Sequence, residues 1–265
     1  MSLRDEAVDI SVDGHGVEGT LVLPERASES GPAVLFVHGW GGNQEQYLAR
    51  ARAVAGLGCV CLTFDLRGHQ RTRTQYDAVT REQNLCDVVA AYDLLARRPG
   101  VDGSRIALVG SSYGAYLGAI ATSLRPVRWL SLRAPAIYKD AGWDRPKREL
   151  HREPDFIEFR LRTHRPSENR ALQACADFRG DVLIVESCDD RIVPHAVVAS
   201  YVAALTNARS LTYRAIEGAD HGLSAEQWKQ AYGVLVMTWL AEMLAGASAP
   251  MVETAHAGAR QPAES

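Results

Sequence analysis

The 265-residue chain sets 29 Lys plus Arg against 32 Asp plus Glu, a formal net charge of -3, with 46% hydrophobic and 23% charged residues. That is ordinary globular usage and enough chain for one large domain with a substantial core. It contains no unbroken apolar run of the roughly 18 residues a membrane span needs and no basic stripe for nucleic acid, so neither partner is expected. The five cysteines, Cys59, Cys61, Cys86, Cys175 and Cys188, are scattered and lack CxxC spacing, which argues against a disulfide framework or a zinc site. The first ten residues, "MSLRDEAVDI", are polar and lack the apolar stretch of a secretory signal, so a cytoplasmic location is expected.

In chain order, "VDISVDG" and "VEGTLVLP" alternate apolar and polar residues around Gly14-His15-Gly16, predicting an antiparallel hairpin. Buried apolar runs then alternate with helical stretches. "AVLFV" (33–37) is followed by a helix at about 44–57, "CVCLTF" (59–64) by one at about 80–97, and "RIALV" (105–109) by one from about 112. "VRWLSL" (127–132), "DVLIVE" (181–186), a helix opened by Pro194, "RSLTYRAI" (209–216) and a last helix at about 224–245 complete the series. Apolar runs of this kind alternating with helices predict an α/β fold with a mostly parallel sheet covered on both faces. Residues 1–245 read as a single domain. Residues 136–170 break the alternation with dense mixed charge, and read as a short insertion over one end of the sheet. Within it "DFIEFRLR" has period two and the following "SENRALQACADF" looks helical, which leaves its fold open. Residues 246–265 are small, polar and aperiodic, and are expected to be a flexible tail.

The patch "RIALVGSSYGA" is a buried strand ending in Gly110, a serine pair, then Gly114 and a small-residue helix. A strand-to-helix turn sharp enough to lift a side chain off the sheet crowds the backbone two residues either side. Gly110 and Gly114 flank Ser112 symmetrically, which nominates Ser112 over Ser111 as a nucleophile. The competing reading is a helix-capping serine with glycines for packing. A serine hydroxyl needs a base, and the base an orienting acid. "ESCDDRIVP" puts Asp189 and Asp190 just past one strand, and "GADHGLS" puts His221 just past the last. In an open parallel sheet, those strand ends share one edge with the Ser112 turn.

Together with "VHGWGG" (37–42), "FDLRGHQRT" (64–72), "GSSYGA", "DDRIVP" and "GADHG", this order of serine, acid and histidine resembles the α/β-hydrolase superfamily over residues 8–245. Its nearest branches are small esterases and the dienelactone-hydrolase-like or serine-aminopeptidase-like hydrolases. The resemblance implies an α/β-hydrolase fold with antiparallel N-terminal strands and a lid insertion. It makes Ser112 the nucleophile, His221 the base and Asp190 the acid, with Asp189 as the alternative and Glu186 behind it. The backbone N–H groups of Trp40 and Tyr113 would form the oxyanion hole. His38 would brace the oxyanion turn, and His69 and Arg67 would lie in a structural loop beside the site. His195 reads as a first-turn helix residue near the pocket mouth. Gln70 and Thr72 stand where relatives often carry glycine and serine, and Asp220 beside His221 is either a second carboxylate for the imidazole or a solvated turn residue.

The expected activity is cleavage of a carboxylic ester, or a related acyl compound, through an acyl-enzyme, with no cofactor and no metal. An acyltransferase, an amide or peptide hydrolase using the same residues, or a non-catalytic binding protein are the alternatives. The partner is a small-molecule acyl substrate. The pocket is expected to draw on the insertion and on Trp40, Tyr113, Trp143 and Leu223. The insertion arginines Arg145, Arg148, Arg152, Arg160 and Arg162 serve either a salt-bridged lid surface or a substrate carboxylate.

Overall fold

The computed structural model describes residues 3–25 and 29–248. Eight strands form one sheet in the order β1-β2-β4-β3-β5-β6-β7-β8. They span β1 Arg4–Val12, β2 His15–Leu23, β3 Ser30–Val37, β4 Val60–Phe64, β5 Gly100–Ser111, β6 Trp129–Arg133, β7 Asp181–Ser187 and β8 Ser210–Ile216. β1 pairs antiparallel with β2 and β2 with β4, and every other pairing is parallel. The helices are α1 Glu45–Ala55, α2 Arg81–Ala96, α3 Tyr113–Ala121, α4 Phe156–Leu161, α5 Arg170–Asp177, α6 His195–Ala204 and α7 Glu226–Ser248. None of the described helices is long and apolar enough to cross a membrane.

The apolar runs of the central strands are continuous because both faces of the sheet are covered. Successive side chains point to opposite faces, so Ala33, Leu35 and Val37 of β3 join one core with residues of α2, α3, α5 and α6. Val34 and Phe36 join the other, against Tyr47, Leu48 and Ala51 of α1 and Tyr232, Val236 and Trp239 of α7. The same split divides Ile106 and Leu108 from Ala107 and Val109 in β5. α2 begins with a reciprocal cap in which the Thr80 hydroxyl accepts from the Gln83 amide and the Gln83 side chain accepts from the Thr80 amide.

Two expectations change at this level, and one reading left open is filled in. The hairpin turn is Asp13-Gly14, both with positive φ (50° and 76°), and His15 already pairs with Val12 in β2. Two left-handed residues are what a two-residue hairpin turn requires. The insertion holds no strand: 3-10 turns at Lys147–Arg152 and Pro166–Glu168 bracket α4, so "DFIEFRLR" is helical despite its period of two. Phe156 and Arg160 of α4, one helical turn apart, are the buried pair, which is a helical spacing. Residues 246–248 continue α7, and the rest of the expected tail lies outside the described residues.

Candidate active site

The elbow between β5 and α3 shows why its glycines are needed. A Cβ on Gly110 would lie 2.7 Å from Ala115 Cα, and one on Gly114 only 2.3 Å from the carbonyl oxygen of Val37. Ser112 itself takes φ 52°, ψ -114°, a conformation L-residues rarely adopt and one that persists only where the surroundings hold it. Ser111, by contrast, is the last residue of β5, and its hydroxyl accepts from Arg133 Nε at 3.1 Å.

Ser112 faces His221. Ser112 Oγ stands 3.0 Å from His221 Nε2, and His221 Nδ1 stands 2.6 Å from Asp190 Oδ2. The second oxygen of Asp190 accepts from the Ile192 and Val193 amides at 2.7 and 2.8 Å. Burial pushes the Asp190 carboxyl upward, but His221 and the two amides outweigh it and hold the group below the usual carboxylate range. An ionised Asp190 fixes the proton of neutral His221 on Nδ1 and leaves Nε2 to accept from the serine. Asp189 is exposed, its amide bonded to the Ala219 carbonyl, and Glu186 pairs with His195 at 2.8 Å and with the Tyr213 hydroxyl. Asp220 accepts from the Ser224 amide at 2.9 Å and from its hydroxyl, so it caps the approach to α7.

The turn after β3 lies against Ser112. A Cβ on Gly39 would come within 3.3 Å of Ser112 Cβ, and no described residue accepts from the amides of Trp40 or Tyr113. His38 and His69 brace this turn. His38 Nε2 accepts from the Leu66 amide and His69 Nε2 from the Gly41 amide, each at 3.0 Å. Burial lowers both imidazoles to about 4. His38 therefore makes no ion pair with Asp65, although Nε2 comes within 3.9 Å of it. Arg67 is buried on Asp87 at 2.6 Å. The Thr72 hydroxyl accepts from the Gly68 amide and donates to the His69 carbonyl, bracing the loop.

Beside Ser112 and His221 opens a cavity of about 510 Å³, lined by the Gly39–Gly42 turn with Trp40, by Leu223, and by Tyr47, Arg50, Arg133, Lys229 and Tyr232. Leu223, named as a pocket candidate from the sequence, lines this cavity. Trp143 is not among the lining residues: its ring stacks on Tyr116, 6.1 Å between centroids, under the guanidinium groups of Arg81 and Arg170. The Tyr113 ring likewise turns into the core, its hydroxyl donating to Asn84. The insertion contributes none of the lining residues. Arg145, Arg148 and Arg162 pair with Glu153, Asp77 and Glu168, and Arg160 donates to the Ile192 carbonyl. Arg50, Arg133 and Tyr232 were missed by sequence reasoning. Arg133 was recoverable, because it ends the strand next to the elbow strand, whereas nothing in the pattern of α1 marks Arg50. Among the described residues no cluster of three or more His, Cys, Asp or Glu could hold a metal ion.

Residues 34–232 match the model of the alpha/beta hydrolase family. The chain belongs to that family. It is 30% identical over 221 residues to the uncharacterized protein Rv2307c of Mycobacterium tuberculosis, covering 82% of this chain and 72% of the relative. Among solved structures it resembles a dienelactone hydrolase from Anabaena variabilis (TM-score 0.64, 19% identity, 91% of this chain and 98% of that one). It also resembles Est1E from Butyrivibrio proteoclasticus (0.66, 18%, 90% and 99%) and the acylaminoacyl peptidase of Pyrococcus horikoshii (0.68, 15%, 91% and 41%). At these identities the structural likeness concerns the fold, and as an alpha/beta hydrolase the chain has hydrolytic chemistry as its background.

Proposed function

We propose that the protein is a serine hydrolase that cleaves a carboxylic ester through an acyl-enzyme. The observation that carries this reading is the continuous line from Ser112 Oγ to His221 to Asp190, at 3.0 and 2.6 Å, on a strained turn that projects the serine.

In the mechanism, His221 Nε2 takes the Ser112 proton as Oγ attacks the carbonyl carbon, and Asp190 steadies the imidazolium through Nδ1. The tetrahedral oxyanion is held by the Trp40 and Tyr113 amides, each such donor worth roughly 3–4 kcal/mol of barrier. His221 then gives its proton to the leaving alcohol, and water repeats the sequence to release the acid. The chain's own groups suffice for every proton transfer, so no cofactor enters.

A fluorophosphonate probe is expected to label Ser112 in the folded protein, and a short-chain 4-nitrophenyl ester to give a burst of nitrophenol that Ser112→Ala abolishes. A folded protein that resists the probe, or an active Ser112→Ala variant, would overturn the assignment. Added alcohols or amines that outcompete water would move the reading to acyl transfer.

A further inference from the structure

We propose that the cavity beside Ser112 is a carboxylate-binding subsite, so that the ester cleaved there carries a negative charge on its acyl chain. The inference rests on the serine-hydrolase reading above and adds its substrate class.

The lining of the cavity includes Arg50, Arg133 and Lys229 and no aspartate or glutamate. Lys229 has an exposed partner, Glu226, at 3.4 Å. The two arginines have none: among the described residues no carboxylate lies within ion-pair distance of either. Arg133 is 7% exposed, and its hydrogen bonds go to neutral acceptors, the hydroxyls of Ser111 and Ser187 and the carbonyl of His221. Arg50 makes no hydrogen bond to any described residue, and its Nε is buried. Its guanidinium carbon lies 4.5 Å from the Tyr232 ring centre and 5.5 Å from that of Tyr47. Tyr232 is 1% exposed, and its hydroxyl is buried with no partner.

Buried donors without acceptors are costly, and a neutral acyl chain entering the cavity would leave them so. Aromatic faces hold the Arg50 guanidinium in place without neutralising it. A carboxylate supplies what is missing, namely a charge for the guanidinium and two oxygens for a planar fork and a hydroxyl. The nearby acids do not compete for this role. Asp190 is committed to His221 and two amides, and Asp220 to Ser224. A cationic substrate would meet like charge on the same wall.

The test compares 4-nitrophenyl half-esters of glutaric, adipic and pimelic acid with the neutral pentanoate, hexanoate and heptanoate esters of matching length, with fluorophosphonate labelling of Ser112 run in parallel. For at least one length, kcat/KM is expected to favour the half-ester by about tenfold or more, the worth of one charge-assisted hydrogen bond. Arg50→Met brings that ratio close to one, and Arg50→Glu takes it below one. If Arg50→Met does not fold, Arg50→Lys and Tyr232→Phe serve the same test, each lowering the ratio. With Ser112 labelled, no half-ester preferred beyond about threefold, or a preference that Arg50→Met leaves intact, overturns the subsite while the hydrolase reading stands. No labelling and no turnover of any ester removes both.

Discussion

Basic side chains stand on two sides of the elbow in different surroundings. Beneath the insertion, Arg81 is fully buried and spends its two terminal nitrogens on the carbonyls of Lys139 and Ala141, at 2.6 and 2.5 Å. Lys147, equally buried, sits 4.6–5.0 Å from the ring centres of Trp40, Tyr113 and Tyr138, and is hydrogen-bonded to His151 Nε2 at 2.9 Å. On the α1–α7 side, Arg50 rests on two tyrosine rings with its donors unused. Arg50 is half-buried where Arg81 and Lys147 are fully buried. What separates the arginine that fastens the chain from the one proposed to meet a substrate is whether its terminal nitrogens are already spent.

The largest test of that contrast fixes which side carries the chemistry. Ser112→Ala is expected to lower kcat on an aryl ester by roughly 10³-fold or more, and Asp190→Asn by roughly 10²–10⁴-fold. Asp189→Asn, at an exposed position, changes kcat by about twofold at most. Equal losses from the two aspartates, measured side by side, would dissolve the assignment of the acid.

Stability separates the two arginines next. Arg81→Met removes the donors of the Lys139 and Ala141 carbonyls from a fully buried position and is expected to cost about 2–4 kcal/mol in urea unfolding, whereas Arg50→Met costs under about 1 kcal/mol. Comparable losses would erase the distinction between fastening and facing.

Lys147 offers a pH-dependent version of the same test. Burial lowers its ammonium pKa well below the usual lysine value, with Arg160 and Arg81 adding to the effect. The unfolded chain therefore binds a proton that the folded chain holds less well, so lysine here costs nothing above about pH 10.5 and costs progressively more as pH falls toward its folded pKa. Lys147→Met should accordingly gain stability over the parent at pH 7 and lose that advantage by pH 10.5. An advantage that does not change with pH would mean a packing effect alone. Trp143→Ala gives the smallest effect, within about threefold in kcat/KM, because the ring braces the insertion away from the cavity. A tenfold fall would return Trp143 to the substrate.

The legible parts of the molecule were those in which chemistry and chain geometry speak in short range. The sheet follows from apolar runs whose alternate residues face two cores, and Ser112 from two glycines whose Cβ atoms would strike Ala115 and Val37. His221 and the pair Asp189 and Asp190 follow from their positions past strand ends, and the choice of Asp190 from the resemblance to the family's acid loop. The insertion was illegible because the period of "DFIEFRLR" competes with a single helical turn that buries Phe156 and Arg160. The cavity wall was illegible for a different reason. Arg50 acquires its meaning only when α1 and α7 meet on the same face of the sheet, and Trp143 loses its expected one when Tyr116 and Arg81 claim its ring.

The backbone of Ser112 carries a cost of its own. At φ 52° and ψ -114° a side chain is tolerated rather than welcome, and glycine would adopt that conformation at ease. A chain selected for endurance alone would place glycine there, so on the proposed nucleophile role the hydroxyl at this position is a standing sacrifice of stability to reactivity.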